Sequence, residues 1–127
     1  MDNKKNKKIK ILLAEDDKFI SKAYQDGLGR AGFEVIAAYD GNEALNKIKS
    51  KKPNIILLDL IMPEKNGFEV LEEIKTDNDL KNIPIIILSN LGQASDIQKG
   101  RDLGANDYLI KSNFSIKEVI EKMKEYV

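Results

Sequence analysis

Apolar residues along the chain fall into five short runs. The runs cover residues 9–14, 35–38, 55–58, 85–88 and 108–110. Between and after them, apolar residues recur every three or four positions, which is typical of amphipathic helices. The pattern therefore predicts five strands, each followed by a helix.

The predicted helices differ in the strength of their apolar faces. The faces consist of Phe19, Ile20, Ala23, Tyr24, Leu28 and Ala31 in the first helix, Ala44, Leu45 and Ile48 in the second, Val70, Leu71 and Ile74 in the third, and Ile116, Val119, Ile120, Met123 and Val127 in the last. Residues 95–103 form the weakest predicted helix, because Gly100 interrupts it.

Helix boundaries are marked by capping signals. Asp40-x-x-Glu43 and Ser115-x-x-Glu118 have the form of capping boxes. Gly32 and Gly104 stand where helices are expected to stop.

The first, third and fourth runs barely alternate between apolar and polar residues. Residues 11–14, 55–58 and 85–88 are apolar throughout. Such strands are covered on both sides, so the sequence predicts an α/β fold with helices on both faces of a parallel sheet.

Composition narrows the possible functions. The chain of 127 residues suits one domain, which we place at 9–127 after a basic tail at 1–8. Its 21 basic and 21 acidic residues give zero net charge, which disfavours direct nucleic-acid binding. The absence of cysteine and histidine excludes thiol, zinc-thiolate and imidazole chemistry. With neither an apolar run of about 18 residues nor a signal peptide, we expect a cytoplasmic protein that does not bind membranes.

Polar side chains follow the predicted strands where ligands bind in open parallel sheets. They are Glu15, Asp16 and Asp17 after the first strand, Asp59 after the third, Ser89 and Asn90 at the fourth, and Lys111 after the fifth. Each has an ordinary alternative role, such as Asp17 as the cap of the first helix. Their joint placement at four strand ends predicts a common site.

The residue types at this edge favour phosphate chemistry with a hard metal. Carboxylates held close together repel one another unless a cation lies among them, and oxygen ligands suit Mg²⁺. A lysine beside them suits a phosphoryl group, whose transfer needs mainly positioning and charge neutralisation. A carboxylate is itself a competent nucleophile and forms an acyl phosphate.

The motifs at these strand ends resemble those of the receiver domain of two-component response regulators, the CheY-like family. The matching segments are ILLAEDD at 11–17, LLDLIMP at 57–63 with Gly67, PIIILS at 84–89 and GANDYLIK at 104–111. The resemblance covers residues 9–127. It implies a flavodoxin-like fold with strand order 2-1-3-4-5 and five helices on both faces.

The resemblance also implies roles for the strand-end residues. Asp59 would be the phosphoacceptor. Asp16 and Asp59 would bind Mg²⁺ directly, together with the backbone carbonyl of Ile61, and Glu15 would bind it through water. Lys111 would contact a phosphoryl oxygen.

A switch and a set of partners are implied in the same way. The hydroxyl of Ser89 would move toward the phosphoryl group, and the ring of Tyr108 would swing inward behind it. The phosphoryl donor would be a sensor histidine kinase or a phosphotransfer protein. The fourth helix, fifth strand and fifth helix would contact a downstream protein, so the expected function is that of a single-domain response regulator without catalysis beyond its own phosphorylation and slow dephosphorylation.

The sequence departs from the family pattern at three places. Ser112 replaces the usual proline after Lys111, Asn90 replaces a commonly small residue, and Ile61 and Leu91 are apolar where residues often tune hydrolysis. The family's proline follows a cis peptide bond. Because a cis bond costs about 2.5–4 kcal/mol without proline, we expect a trans Lys111–Ser112 bond.

Two alternative functions remain open at this stage. One is a Mg²⁺-dependent phosphohydrolase with an aspartyl-phosphate intermediate, although such enzymes usually carry an acid/base aspartate where this chain has Ile61. The other is a constitutive binding module that is never phosphorylated.

Overall fold

A five-stranded parallel sheet forms the centre of the molecule, in a computed structural model that describes residues 8–127. The strand order β2-β1-β3-β4-β5 confirms the expected order. The strands are β1 (Lys10–Ala14), β2 (Glu34–Ala38), β3 (Ile55–Leu58), β4 (Ile85–Ser89) and β5 (Asp107–Ile110). The helices are α1 (Lys18–Arg30), α2 (Gly41–Lys51), α3 (Gly67–Lys75), α4 (Ala94–Asp102) and α5 (Ile116–Met123). Apart from Lys8, the expected basic tail lies outside the described residues.

The core forms two layers, one on each face of the sheet. Alternate residues of β3 show this clearly: Ile56 and Leu58 pack with α2 and α3, and Ile55 and Leu57 pack with α1 and α5. All four are fully buried, as expected for a strand covered on both sides.

The predicted apolar face of α1 is partly wrong. Phe19 is 90% exposed, and Ala23 and Ala31 are also exposed. The buried side of α1 contains Tyr24 and Leu28, as predicted, together with Ser21, which was not predicted. Phe19 lies five positions before Tyr24 and nine before Leu28, which places it about 140° and about 180° from them around the helix, so it does not share their face. Val127, also predicted to be apolar core, is 44% exposed.

Most predicted capping signals are present. Asp17 caps α1, with its side chain accepting bonds from Phe19 and Ile20 N–H. Gly32 and Gly104 follow α1 and α4 with φ of +97° and +103°, a conformation that glycine adopts without strain.

The two predicted capping boxes differ in detail. Ser115 and Glu118 form a complete box at α5. Asp40 accepts a bond from Glu43 N–H at 2.7 Å, but the Glu43 carboxylate accepts one from Tyr39 N–H at 2.6 Å. That box is therefore displaced by one residue.

Gly100 has a packing role in α4. A Cβ atom there would lie 2.6 Å from Ile87 Cδ1 and 3.2 Å from Tyr108 Cδ2. The glycine lets α4 approach β4 and β5 closely, which explains why the weakest helical pattern still forms a helix.

Candidate functional site

The carboxyl ends of four strands bring the predicted side chains together. Glu15 and Asp59 directly follow β1 and β3, and each extends the parallel hydrogen bonding by one residue. Glu15 N–H donates to the Ala38 carbonyl and Asp59 N–H to the Ala14 carbonyl, both at 3.0 Å. The backbone of the sheet therefore fixes both carboxylates. A depression at this edge is lined by Glu15, Asp16, Asp17, Ile20, Asp59, Ile61, Ser89, Asn90 and Lys111.

Three carboxylates form an acidic cluster in this depression. One oxygen from each of Glu15, Asp16 and Asp59 lies within 4.8 Å of the others. Glu15 and Asp59 are only 3% and 7% exposed, whereas Asp16 is exposed to solvent. The two buried carboxylates are costly to keep charged unless a cation accompanies them.

Lys111 supplies one positive charge between the buried carboxylates. Its ammonium donates a hydrogen bond to Glu15 Oε1 and lies 3.5 Å from Asp59 Oδ2.

The Lys111–Ser112 bond is trans, as are all peptide bonds within residues 8–127, which confirms that prediction. The chain then makes a 3₁₀ turn over Lys111–Asn113.

Burial shifts the pKa values of these groups. Burial raises the pKa of Glu15 and of Asp59, and the nearby Lys111 only partly offsets this. Burial lowers the pKa of Lys111, but the Glu15 hydrogen bond and the charges of both carboxylates raise it more, so the net shift is upward. Lys111 therefore stays protonated at neutral pH.

Backbone N–H groups also hold the carboxylates. Asp17 N–H donates to Glu15 Oε2 at 3.0 Å, and Ile61 N–H lies 3.5 Å from Asp59 Oδ1. The Ile61 side chain is 61% exposed at the rim.

The start of α3 packs against the backbone of Asp59. A Cβ atom on Gly67 would lie 2.3 Å from the Asp59 carbonyl oxygen, so only glycine fits. Asn66 and Glu69 form a complete capping box there. Sequence reasoning missed this box, although Asn66-x-x-Glu69 has the same spacing as the two boxes it recognised.

Ser89 and Tyr108 both contact the backbone of Leu91. The Ser89 hydroxyl, fully buried, accepts a bond from Leu91 N–H at 3.2 Å. The Tyr108 hydroxyl donates to the Leu91 carbonyl, and its ring is only 8% exposed. The expected switch residues are thus linked through one residue of the loop after β4, with the tyrosine ring already packed inward.

The donor set fits a magnesium ion. Three carboxylates and one ammonium leave a formal charge of −2 in the cluster. Every ligand atom that a side chain of the acidic cluster offers to a metal is an oxygen. The cluster is open to solvent on the side of Asp16, which is exposed. Oxygen ligands and room for retained water are what Mg²⁺ requires.

The fold and this acidic edge are typical of a signalling class of α/β protein, and comparison with known families agrees. The model of the response regulator receiver domain matches residues 11–124. The chain belongs to this family, the receiver domains of two-component response regulators. Receiver domains are signalling modules that bind Mg²⁺ at an acidic pocket and interact with histidine kinases or phosphotransfer proteins and with downstream effectors.

Several relatives resemble the chain over most of its length. The probable transcriptional regulator ycf27 of Guillardia theta is 38% identical over 92% of this chain and 44% of its own length. Protein PilG of Pseudomonas aeruginosa is 36% identical over 94% of this chain and 87% of its own. The chain spans about half the length of the ycf27 relatives.

Solved structures share the same fold. Chemotaxis protein CheY4 of Vibrio cholerae has a TM-score of 0.88 at 28% identity and covers 95% of this chain and 100% of its own. The Francisella response regulator 1452 receiver domain has a TM-score of 0.86 at 34% identity, covering 93% and 95%. Separately, none of the helices in residues 8–127 is long and apolar enough to cross a membrane.

Proposed function

We propose that Asp59 accepts a phosphoryl group from a histidine kinase or phosphotransfer protein, and that the chain then signals through protein contacts. The observation that carries the proposal is the buried Asp59 carboxylate, 3.5 Å from the Lys111 ammonium and within 4.8 Å of the Glu15 and Asp16 oxygens. A nucleophile, a cation for the incoming anion and a metal-binding set therefore meet at one point.

Phosphoryl transfer needs a nucleophile and ligands for a metal ion, and different residues of the pocket would supply them. A carboxylate oxygen of Asp59 attacks phosphorus, and the bond between phosphorus and the donor's leaving group breaks. Asp16, Asp59 and the Ile61 carbonyl would hold Mg²⁺, with Glu15 contacting it through water. The bound ion would neutralise charge on the phosphoryl oxygens.

Lys111 would change partners during the reaction. Its ammonium is now bonded to Glu15, and a phosphoryl group on Asp59 offers it a more highly charged acceptor. The raised pKa of Lys111 ensures that the charge is present when the group arrives.

Ser89 and Tyr108 would carry the signal away from Asp59. A hydroxyl that turns toward the phosphoryl group would release Leu91 N–H, and Tyr108 holds the carbonyl of the same residue. We therefore propose that the loop after β4 repacks and alters the surface formed by α4, β5 and α5. This is the surface proposed to contact a downstream protein.

Acetyl phosphate and Mg²⁺ test the phosphoacceptor directly. The wild type is expected to gain one phosphate by mass, and Asp59→Asn is expected to gain none. Asp79→Asn is the matched control, because this exposed aspartate precedes β4 at the opposite edge of the sheet. Equal modification of Asp59→Asn and the control would refute the assignment.

The same assay separates the two alternative functions. Multiple turnover of acetyl phosphate would indicate a phosphohydrolase, which the apolar Ile61 at the pocket rim disfavours. No modification of the wild type would indicate a constitutive binding module.

A further inference from the structure

Two residues at which the sequence departs from its family contact each other. Asn90 Oδ1 accepts a hydrogen bond of 2.9 Å from the backbone N–H of Ser112. Asn90 lies after β4 and Ser112 after β5, so the bond joins the ends of two neighbouring strands. A proline at position 112 would have no N–H to donate, so this contact requires the departure at Ser112.

The turn that carries Lys111 is weakly held from within. Its closing bond, from Phe114 N–H to the Lys111 carbonyl, is long at 3.5 Å. The residue before the turn, Ile110, provides no side-chain cap. The 2.9 Å bond that Ser112 N–H donates to Asn90 Oδ1 therefore has better geometry than the turn's own closing bond.

We propose that Asn90 is a positioning residue: by holding Ser112 N–H it fixes the trans turn and aims the Lys111 ammonium at Glu15 and Asp59. Asn90 and Ser112 hold the turn at the position where the family's usual proline follows a cis peptide bond. The effect on phosphoryl binding rests on the function proposed above, whereas the effect on the position of Lys111 does not.

The placement of Asn90 also links lysine position to the switch. Asn90 lies between Ser89 and Leu91, the two residues that share a hydrogen bond in the loop after β4. A repacking of that loop would move Asn90 and, through Ser112, the turn that carries Lys111. The same contact therefore couples the phosphoryl-binding lysine to the loop held by Tyr108.

Three variants separate the hydrogen bond from general effects of substitution. Asn90→Ala removes the acceptor. Asn90→Asp keeps an oxygen acceptor and should restore the bond. Asn113→Ala is the matched control, because it removes an exposed amide one residue beyond Ser112 in the same turn.

Amide exchange and lysine NMR report the geometry without any ligand. In Asn90→Ala, the Ser112 amide is expected to lose protection and the Lys111 ε-methylene signal to shift. Asn90→Asp should regain the Ser112 protection, and Asn113→Ala should resemble the wild type in both signals. Wild-type signals for Ser112 and Lys111 in Asn90→Ala would overturn the proposal.

Binding of beryllofluoride with Mg²⁺ reports the functional consequence. Asn90→Ala is expected to weaken beryllofluoride binding about two- to tenfold, the worth of one hydrogen bond, without changing the affinity for Mg²⁺ alone. Equal losses in both affinities would indicate a merely structural role and overturn the proposal. If the wild type itself takes up no beryllofluoride, the proposed function fails, and the Ser112 and Lys111 signals still decide the role of Asn90.

Discussion

The two sides of the pocket are held in different ways. On the β1–β3 side, Glu15 and Asp59 extend the hydrogen bonding of the sheet, and Gly67 packs directly against the Asp59 backbone. On the β4–β5 side, single side-chain bonds do this work: Ser89 and Tyr108 hold Leu91, and Asn90 holds Ser112.

The helices on one face of the sheet, α2, α3 and α4, differ in the same direction. Helices α2 and α3 each bury four residues, including Leu45, Ile48, Leu71 and Ile74. Helix α4 buries only Gly100. We call the β1–β3 side, which presents the carboxylates, the fixed side of the pocket, and the β4–β5 side the loose side. The loose side is able to change conformation, because regions with few buried apolar contacts open most easily.

The largest effect is expected from filling the space at Gly67. In Gly67→Ala, the new methyl group meets the Asp59 backbone, which has little room to move, so stability should fall by about 2–3 kcal/mol. Urea unfolding measures this. Gly29→Ala is the control, because nothing lies within 4 Å of a Cβ there and helix propensity should improve by about 0.5–1 kcal/mol. Equal stabilities for the two variants would contradict the rigidity of the fixed side of the pocket.

Removing the Asp59 charge should stabilise the fold without metal. Glu15 and Asp59 share one ammonium, so Asp59→Asn leaves a matched pair and should raise the free energy of unfolding at neutral pH. Because burial raises the pKa of Asp59, the folded wild type loses stability as pH rises above the ordinary carboxyl range. The gain from Asp59→Asn should therefore shrink at acid pH.

Chemical denaturation at several pH values in EDTA checks this expectation. Asp79→Asn serves as the control with an exposed carboxylate. A gain that grows toward acid pH would contradict the raised pKa.

A smaller effect is expected from Ser89→Ala, on the loose side of the pocket. The variant loses the bond to Leu91 N–H, worth about 0.5–1.5 kcal/mol, and loses the hydroxyl that would face a phosphoryl group. Phosphorylation should proceed, but the NMR shift changes in α4 should be smaller than in the wild type. Ser50→Ala, a substitution at an exposed serine, is the control. Undiminished α4 shifts would separate Ser89 from the switch.

The smallest effect concerns the lifetime of the phosphoryl group. Ile61 and Leu91 would flank the approach of water and offer it no side-chain hydrogen bond, so we expect slow hydrolysis. Ile61→Asn should speed phosphate loss about fivefold, as expected for one new hydrogen bond of about 1 kcal/mol. Phosphate release by mass spectrometry measures the rate, with Ile61→Leu as the apolar control. Unchanged or slower loss in Ile61→Asn would show that water is oriented elsewhere.

The sequence predicted the strands on both sides of the pocket, whereas the Asn66–Glu69 capping box beside Asp59 was missed. Strands such as Ile55–Leu58 are apolar throughout, so their burial on both faces and the carboxylates that follow them were readable directly. The trans bond after Lys111 was also predictable, because proline is absent there.

Contacts between distant residues were not readable in this way. Asn90 and Ser112 are 22 positions apart, and only the folded register of β4 and β5 brings them into contact. The exposure of Phe19 was readable from the sequence, because its spacing from Tyr24 and Leu28 places it on the other side of the helix.

The bond between Glu15 and Lys111 has a consequence for how the molecule is assembled. The two residues are separated by 96 positions, so the bond closes a loop that contains most of the chain. Closing a loop of this length in the unfolded chain costs entropy, and contacts formed between the two residues shorten it. Lys111 follows an edge strand, so a chain with β5 undocked would keep its carboxylates and lack their ammonium. Competence for phosphoryl transfer would then require β5 to be docked on the sheet.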